Sequence, residues 1–229
     1  MEAIVLAGGL GTRLQSVVSD LPKPMAPVGG KPFLEYIFKY LKKNGVDRVI
    51  LSVGYKWESI NAYFGDRFEG IEIVYSIEDE PLGTGGAIKK GMQHVNDENV
   101  FIINGDTFFD VPLANLHSVF QKEDKLMLSL KTMHYFDRYG CVESNEQSQV
   151  TAFTEKGYRE RGNINGGIYL AAKNIFEDYR LQEKFSFEAF MEDNFKTLKI
   201  RTALFDTYFI DIGIPEDYTR AQSELKAHL

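Results

Sequence analysis

The chain has 229 residues, of which 44% are hydrophobic and 26% charged, as is typical of a globular protein with a sizeable core. Its formal net charge of −7 argues against nucleic acid or an anionic membrane as a general partner. The one cysteine, Cys141, excludes an internal disulfide, and we find neither a basic leader nor an apolar run of membrane-spanning length. We therefore expect a cytoplasmic protein.

The first half of the chain predicts alternating strands and helices. We expect strands at 3–7, 48–54, 71–76 and 99–105, and helices at 33–43, 58–65 and 85–95, the last capped by Thr84. Continuous apolar runs such as RVILSV are typical of strands covered on both faces. The alternation predicts an α/β fold, with a Rossmann-like mixed, mostly parallel sheet flanked by helices.

The second half is richer in strands. We expect strands at 125–133, 140–145, 149–156 and 166–172, a helix at 186–195, a hairpin over 200–213 and a last helix at 215–225. No repeat or long linker divides the chain. We therefore expect a single domain over 1–229, with a first half at about 1–111 and a second half at about 112–229.

Glycines follow the first predicted strand in the segment LAGGLGTRL, residues 6–14. A strand, a glycine loop and then a helix form a layout that binds phosphate through free backbone N–H groups. The dinucleotide pattern would need a third glycine at Leu14, and the P-loop would need Lys after Gly11. Arg13 favours a phosphate site, because a guanidinium suits phosphate oxygens; the glycines alone leave a tight turn open.

Prolines surround a lysine in the next segment, LPKPMAP, at 21–27. Pro22 and Pro24 restrict the backbone on both sides of Lys23, which suits a fixed electrostatic role. The alternative is a solvated lysine in a surface loop.

The two motifs together resemble those of the nucleotidyltransferase family that makes nucleotide sugars. The resemblance implies a GT-A-like form of the fold and a loop that cradles a nucleoside triphosphate. It also implies that residues 1–111 are the nucleotide-binding half of the domain and residues 112–229 the sugar-binding half. It implies that Arg13 holds the phosphates that leave as pyrophosphate, and that Lys23 lies over the reacting phosphates. The residues that it assigns to the nucleotide here are Leu6, Ala7, Gly8, Gly9, Gly11, Thr12, Arg13 and Lys23.

Two aspartates lie at the ends of predicted buried strands. Asp106 follows FIING and Asp211 follows YFI, and carboxylates at strand ends of an open sheet lie where ligands bind. Two such groups suit one Mg²⁺ with substrate phosphates, although each could instead be a turn residue, or for Asp211 a cap of the last helix. The resemblance implies that both bind Mg²⁺ and that Asp106, with Arg13 and Lys23, is catalytic and contacts the nucleotide.

The sugar phosphate is assigned by resemblance alone. From the pattern, FTEK reads as a charged strand end and NINGG as a turn. The resemblance implies that Lys156 binds the sugar phosphate, and that Glu155, Asn165 and the Gly140 backbone bind sugar hydroxyls. The family commonly has proline after this lysine; Gly157 here leaves the path of 157–163 open.

The segment EDEPLGTGGAI at 78–88 is a predicted turn that leads into a helix. In the family this segment reads the base, and its form resembles guanylyltransferases of mannose-like sugars, above all those that form GDP-heptose for bacterial surface polysaccharide. The resemblance implies GTP and a sugar 1-phosphate as substrates. Guanine needs hydrogen-bond acceptors, which Glu80 or a nearby carbonyl could supply; the segment's assigned residues are Glu80, Pro81, Gly83, Thr84 and Gly85.

Three other classes of protein share part of this pattern. Mannose 1-phosphate guanylyltransferases and uridylyl- or thymidylyltransferases differ only in base and sugar. A metal-dependent glycosyltransferase would be expected to carry Asp-x-Asp where this chain has Asp106-Thr107-Phe108. A non-catalytic sensor would be expected to lose the arginine or an aspartate. The aromatic content of 13% suggests a sticky surface without locating it, so the oligomeric state stays open, with a homodimer as one candidate.

Overall fold

A computed structural model describes residues 1–9 and 21–228. The glycine-loop residues Gly11, Thr12 and Arg13 lie outside the described residues. Among the described residues, no helix has the length and apolar character to cross a bilayer.

The described residues form six α-helices, fourteen strands and two short 3-10 helices. The helices are α1 (Phe33–Lys43), α2 (Trp57–Phe64), α3 (Gly83–Met92), α4 (Leu113–Val119), α5 (Phe187–Leu198) and α6 (Pro215–Glu224); the 3-10 helices are Lys23–Met25 and Leu225–His228. The strands are β1 (Glu2–Leu6), β2 (Pro27–Val28), β3 (Lys31–Pro32), β4 (Arg48–Val53), β5 (Arg67–Phe68), β6 (Ile71–Ile77), β7 (Asn99–Asn104), β8 (Thr107–Phe109), β9 (Leu126–Phe136), β10 (Val142–Ser144), β11 (Val150–Phe153), β12 (Arg159–Ala172), β13 (Arg201–Phe205) and β14 (Phe209–Asp211).

Eight of these strands form one sheet, in the order β13-β9-β12-β7-β1-β4-β6-β5. The pairs β7–β1, β1–β4, β4–β6 and β9–β13 are parallel, whereas β12 runs antiparallel to both β7 and β9. The predicted α/β fold with a mostly parallel, mixed sheet is therefore confirmed.

Helix α1 shows how the sequence builds the layer over this sheet. Its predicted apolar face, which includes Phe33, Ile37 and Leu41, is at most 1% exposed. Burying side chains of this size contributes about 1.5–3 kcal/mol each. The helix ends as predicted, because Asn44 is its C-cap and Gly45 takes the left-handed conformation that glycine favours there, with φ of 77°.

The predicted hairpin over 200–213 is wrong. Strand β13 instead joins the main sheet beside β9, and β14 pairs with β8 in a separate two-stranded sheet. Periodicity predicts that a segment is a strand but not which strand it pairs with. The departure matters, because β14 thereby carries Asp211 to Thr107, the neighbour of Asp106.

Two smaller expectations also change. Strand β12 begins at Arg159, seven residues before the predicted start, so that Asn165 lies within a strand and not in a turn. Helix α3 begins at Gly83, with Leu82 as its N-cap, so that Thr84 does not cap it. The hydroxyl of Thr84 instead has a distant partner in Glu188, which the local pattern could not indicate.

Candidate active site

A cavity of about 910 Å³ opens at the carboxyl ends of the parallel strands. Part of its wall comes from residues that the sequence predicted for the nucleotide: Leu6, Gly8, Gly9, Lys23, Pro81, Gly83, Thr84 and Asp106. We call it the nucleotide cavity. Three other predicted residues, Ala7, Glu80 and Gly85, do not line it.

At position 8 of the glycine loop, any side chain larger than that of glycine would have to displace the carboxylate of Glu78. A Cβ atom on Gly8 would lie 2.7 Å from Oε1 of Glu78. The preceding Ala7 is 1% exposed, and its N–H donates to the Ser52 carbonyl, so this residue supports the wall from behind.

Lys23 is held in the nucleotide cavity by a rigid backbone. It begins the 3-10 helix Lys23–Met25, in which the Met25 N–H donates to the Pro22 carbonyl at 2.8 Å. Its Nζ lies 2.5 Å from Oδ2 of Asp106, and its side chain is only 12% exposed. The alternative of a solvated surface lysine is therefore wrong.

Asp211 lies beside this ion pair. Its Oδ1 accepts a hydrogen bond from the Gly213 N–H at 2.7 Å, and its Oδ2 accepts a long one from the Tyr139 hydroxyl at 3.4 Å. Burial raises the pKa of Asp211, as does the negative charge of Asp106, while Lys23 opposes the rise. Because Ile214 is the N-cap of α6 and no side chain caps that helix, the helix-cap alternative for Asp211 is wrong.

The two carboxylates fit a divalent cation. Their charges are close enough to affect the pKa of Asp211, and the ammonium of Lys23 is the positive group between them in the described structure. Among the described residues, no group of three or more His, Cys, Asp or Glu could hold a metal ion. Oxygen ligands from two carboxylates with the remainder from phosphates are what Mg²⁺ prefers, so Asp106 and Asp211 would need a bound nucleotide to complete the site.

A second cavity, of about 520 Å³, is lined by residues between Tyr139 and Phe195. We call it the acceptor cavity. All four residues that the resemblance assigned to the sugar phosphate line it: Gly140, Glu155, Lys156 and Asn165. A Cβ atom on Gly140 would lie 2.4 Å from the Thr154 carbonyl oxygen, so only glycine fits at this point of the wall.

A bulge in β12 sets the position of Asn165. The register against β9 shifts between Asn165 and Tyr169, and within the bulge Gly167 takes a φ of 74°. The Asn165 amide donates to the Tyr169 hydroxyl at 2.7 Å and accepts from the Gly167 N–H at 3.0 Å. The amide is thus fixed at the cavity wall by its own strand.

The two cavities meet at Glu188, which lines both. Its Oε2 accepts hydrogen bonds from Thr84 Oγ1 at 2.7 Å and from Ser186 Oγ at 2.8 Å. Tyr139 also lines the acceptor cavity, and its hydroxyl contacts Asp211, which itself lines neither cavity. A molecule in one cavity would therefore lie beside a molecule in the other.

The glycines of the PLGTGG segment serve this junction. The N–H of Gly85 donates to the Phe185 carbonyl at 3.0 Å, and a Cβ there would lie 2.2 Å from the Phe185 ring. A Cβ on Gly83 would lie 2.6 Å from the same carbonyl oxygen. Gly85 is thus needed for packing against the residues before α5. Although it was predicted to contact the base, it does not line the cavity.

Several lining residues were missed by sequence reasoning, among them Glu78, Asp79, Asn104, Glu188 and Glu192. Glu78 directly follows β6, and Asp106 lies two residues beyond the end of β7, so the strand-end argument that found Asp106 could have found Glu78 too. Its carboxylate accepts from Ser52 Oγ at 3.2 Å and the Leu82 N–H at 3.0 Å. Glu80, the predicted acceptor for guanine, is exposed and outside the cavity.

Comparison with known proteins identifies the family of the chain. The family model described as "Nucleotidyl transferase" matches residues 2–228. The chain belongs to the nucleotidyltransferase family.

Members of this family that resemble the chain include two D-glycero-α-D-manno-heptose 1-phosphate guanylyltransferases. The one from Aneurinibacillus thermoaerophilus is 58% identical over 233 residues, with both chains fully covered. The one from Campylobacter jejuni is 58% identical over 218 residues, covering 95% of this chain and 97% of the relative. A crystal structure of HddC from Yersinia pseudotuberculosis complexed with GMP-PN is 38% identical, with a TM-score of 0.85, and the match covers 97% of this chain and 98% of that one.

Proposed function

We propose that the chain transfers GMP from GTP to D-glycero-α-D-manno-heptose 1-phosphate, forming GDP-heptose and pyrophosphate. The two relatives at 58% identity bear the name of this activity. The observation that carries the proposal is the junction at Glu188, where a cavity containing Lys23 and Asp106 meets a cavity containing Lys156.

In the proposed reaction, a phosphate oxygen of the sugar 1-phosphate forms a bond to the α-phosphorus of GTP. The bond from that phosphorus to the bridging oxygen of pyrophosphate breaks, and pyrophosphate leaves with the electron pair. The attacking oxygen is already anionic, so no protein nucleophile or general base is required. The protein's task is to position two polyanions and to reduce their repulsion.

The chain's own cations and amides serve that task. Lys23 would lie at the α-phosphate, and Lys156 would bind the sugar phosphate at the far side. We assign the leaving phosphates to Arg13 and to the amides around Gly11 and Thr12, which lie outside the described residues. Mg²⁺, held by Asp106 and Asp211, would add charge neutralisation when bound.

For the base, we propose that the acidic residues of the cavity wall accept the hydrogen bonds that guanine offers. Guanine presents an N1–H and an amino group on one edge, and a carboxylate is an acceptor only. Glu78 and Asp79 line the nucleotide cavity, which favours them over Glu80 for this role. Association into a homodimer stays a prediction, which sedimentation analysis of the purified chain tests.

A panel assay of pyrophosphate release tests the proposal. We expect GTP with heptose 1-phosphate to give the highest kcat/KM among GTP, UTP, dTTP and ATP combined with heptose, mannose and glucose 1-phosphates. Chelation of divalent ions should abolish the reaction. Asp106→Asn should lower turnover by at least about a hundredfold, as expected when a group that stabilises transition-state charge is lost.

Asp110→Asn provides the matched control, because Asp110 lines neither cavity and its N–H donates to the Tyr208 carbonyl. We expect it to change turnover less than about twofold. Equal turnover with all four triphosphates, or a fully active Asp106→Asn protein, would contradict the proposal.

A further inference from the structure

One face of helix α5 runs along the acceptor cavity. Glu188, Met191, Glu192 and Phe195 line the cavity, and their spacing of three and four residues puts them on a single helical face. Successive turns of a helix advance by about 5.4 Å. The chemistry of the cavity wall therefore changes along the helix. A carboxylate lies in the first turn, a second carboxylate lies one turn further on, and an aromatic ring follows.

The two ends of this wall differ. At Glu188 the acceptor cavity meets the nucleotide cavity, where the sugar phosphate must lie to attack GTP. Toward the other end, the Phe195 ring packs edge-on against Phe153 with centroids 5.9 Å apart, and the ammonium of Lys196 lies 5.7 Å from the Phe195 centroid. The end of the sugar remote from its phosphate would consequently lie one helical turn or more beyond Glu188.

Glu192 lies at that distance, and its carboxylate is available. Glu188 is half-buried and already accepts two hydrogen bonds through one oxygen. Glu192 is exposed, and within residues 1–9 and 21–228 its carboxylate has no hydrogen-bond or ion-pair partner. An unpaired carboxylate at the wall of the acceptor cavity can accept hydrogen bonds from two hydroxyl groups at once.

We infer that Glu192 determines specificity for the seven-carbon sugar by accepting hydrogen bonds from the hydroxyl groups on C6 and C7. This inference rests on the proposed function. In heptose 1-phosphate those two hydroxyls form a vicinal diol, which offers one proton to each carboxylate oxygen. Mannose 1-phosphate has the same ring and phosphate but ends at C6, so it offers a single terminal hydroxyl.

The size of the effect follows from one charged hydrogen bond at a solvent-exposed site. Buried polar sites discriminate far more strongly against an analogue that lacks a hydroxyl, but water can replace the lost partner at the exposed Glu192. We therefore expect Glu192 to account for a difference of about tenfold in kcat/KM between the two sugars.

The test compares kcat/KM for heptose 1-phosphate and mannose 1-phosphate, each with GTP, in the parent chain and in Glu192→Gln. Glutamine keeps the size of the side chain but replaces one acceptor oxygen by a donor. We expect the heptose-to-mannose ratio to fall about tenfold, mainly through the heptose KM. Asp193→Asn is the matched control, because the neighbouring carboxylate lines neither cavity, and its ratio should equal that of the parent.

The outcomes separate the two proposals. If the parent chain forms no GDP-sugar from any sugar 1-phosphate, the proposed function fails and this inference fails with it. Two results with an active parent would overturn only the assignment of Glu192. In the first, Glu192→Gln has the same heptose-to-mannose ratio of kcat/KM as the parent, and in the second it lowers kcat/KM equally for both sugars. Glu192→Ala, which removes the acceptor entirely, should lower the ratio at least as far as Glu192→Gln, and a parental ratio there would also overturn the assignment.

Discussion

The hydroxyl of Thr84 lies 2.7 Å from the carboxylate of Glu188, joining two helices whose residues are 104 positions apart in the chain. The same hydroxyl accepts a hydrogen bond from the Phe187 N–H at 2.8 Å. Thr84 lines the nucleotide cavity and Glu188 lines both cavities. A single side chain in the predicted base-reading segment thus orients a carboxylate at the acceptor site.

Replacing Thr84 by valine tests this coupling. The Phe187 N–H and Glu188 would each lose a partner, so the free energy of unfolding should fall by about 1–3 kcal/mol in urea titrations. The KM for the sugar phosphate should also rise, because Glu188 loses one of the two donors that hold it. Thr84→Ser keeps the hydroxyl and should stay close to the parent; equal KM values for the valine and serine proteins would contradict the coupling.

If Asp106 and Asp211 hold a divalent cation as proposed, Lys23 competes with that cation for the carboxylate of Asp106. Its ammonium contacts Oδ2 of Asp106 at 2.5 Å, and a Cβ on Gly213, next to Asp211, would lie 3.2 Å from the same nitrogen. Lys23→Met should therefore bind Mn²⁺ more tightly than the parent in the absence of nucleotide, as measured by electron paramagnetic resonance titration. Turnover should nonetheless fall by about a hundredfold, because a fixed charge at the reacting phosphates is lost.

Weaker Mn²⁺ binding by Lys23→Met than by the parent would show that the lysine supports the metal site instead of competing with it. Lys90→Met is a suitable comparison, because that lysine donates to the Ile77 carbonyl away from the two aspartates, and we expect its Mn²⁺ affinity to match the parent.

We expect substitutions at Glu78 and Glu80 to differ in their effect on base selection. Glu78 lines the nucleotide cavity, whereas Glu80 is exposed outside it. Glu78→Gln should lower the preference for GTP over ATP by about tenfold, since a carboxylate acceptor is replaced by an amide. Glu80→Gln should shift the preference less than about twofold; the reverse pattern, measured as the ratio of kcat/KM values, would restore Glu80 as the base reader.

Glu2 should make stability depend on acid pH. Burial opposes its ionisation, but the Asp97 N–H, the Arg48 guanidinium and the Asn96 N–H outweigh burial and hold the pKa of Glu2 below its ordinary value of 4.5. An acid with a depressed pKa contributes stability above its unfolded pKa and loses that contribution as the pH falls through its folded pKa.

We therefore expect Glu2→Gln to be less stable than the parent at pH 7, by about 2 kcal/mol, in urea titrations. The difference should shrink as the pH falls below about 4.5, and it should be smallest once the pH is below the lowered pKa of the folded state, where the parent carboxylate is protonated as well. A difference that is constant from pH 7 to pH 3 would show that charge at Glu2 contributes nothing.

The sequence was sufficient to predict elements whose residues interact locally. Helix α1 has its apolar face, its basic last turn and its Asn-Gly stop all within 13 residues, and its predicted bounds agree with the structure. The parallel strands β1, β4 and β7 were equally clear, because buried strands read as continuous apolar runs.

The sequence could not predict interactions between distant segments. The pairing of β14 with β8, the bulge that holds Asn165 and the hydrogen bond from Thr84 to Glu188 each join residues through the tertiary fold, and no local pattern encodes them. The acceptor residues illustrate the difference. Lys156 and Asn165 looked like a charged strand end and a turn, and only family resemblance put them at the same cavity.

The antiparallel contact between β7 and β12 has a consequence for biosynthesis. Strand β7 ends at Asn104, but the strand that covers its free edge ends at Ala172, so about 70 residues must be translated before that edge is paired. During this interval, which lasts several seconds at ordinary elongation rates of about 5–20 residues per second, a nascent chain would expose the apolar edge Val100–Ile103 on the ribosome. Slow decoding between these strands should therefore increase chaperone dependence more than slow decoding elsewhere.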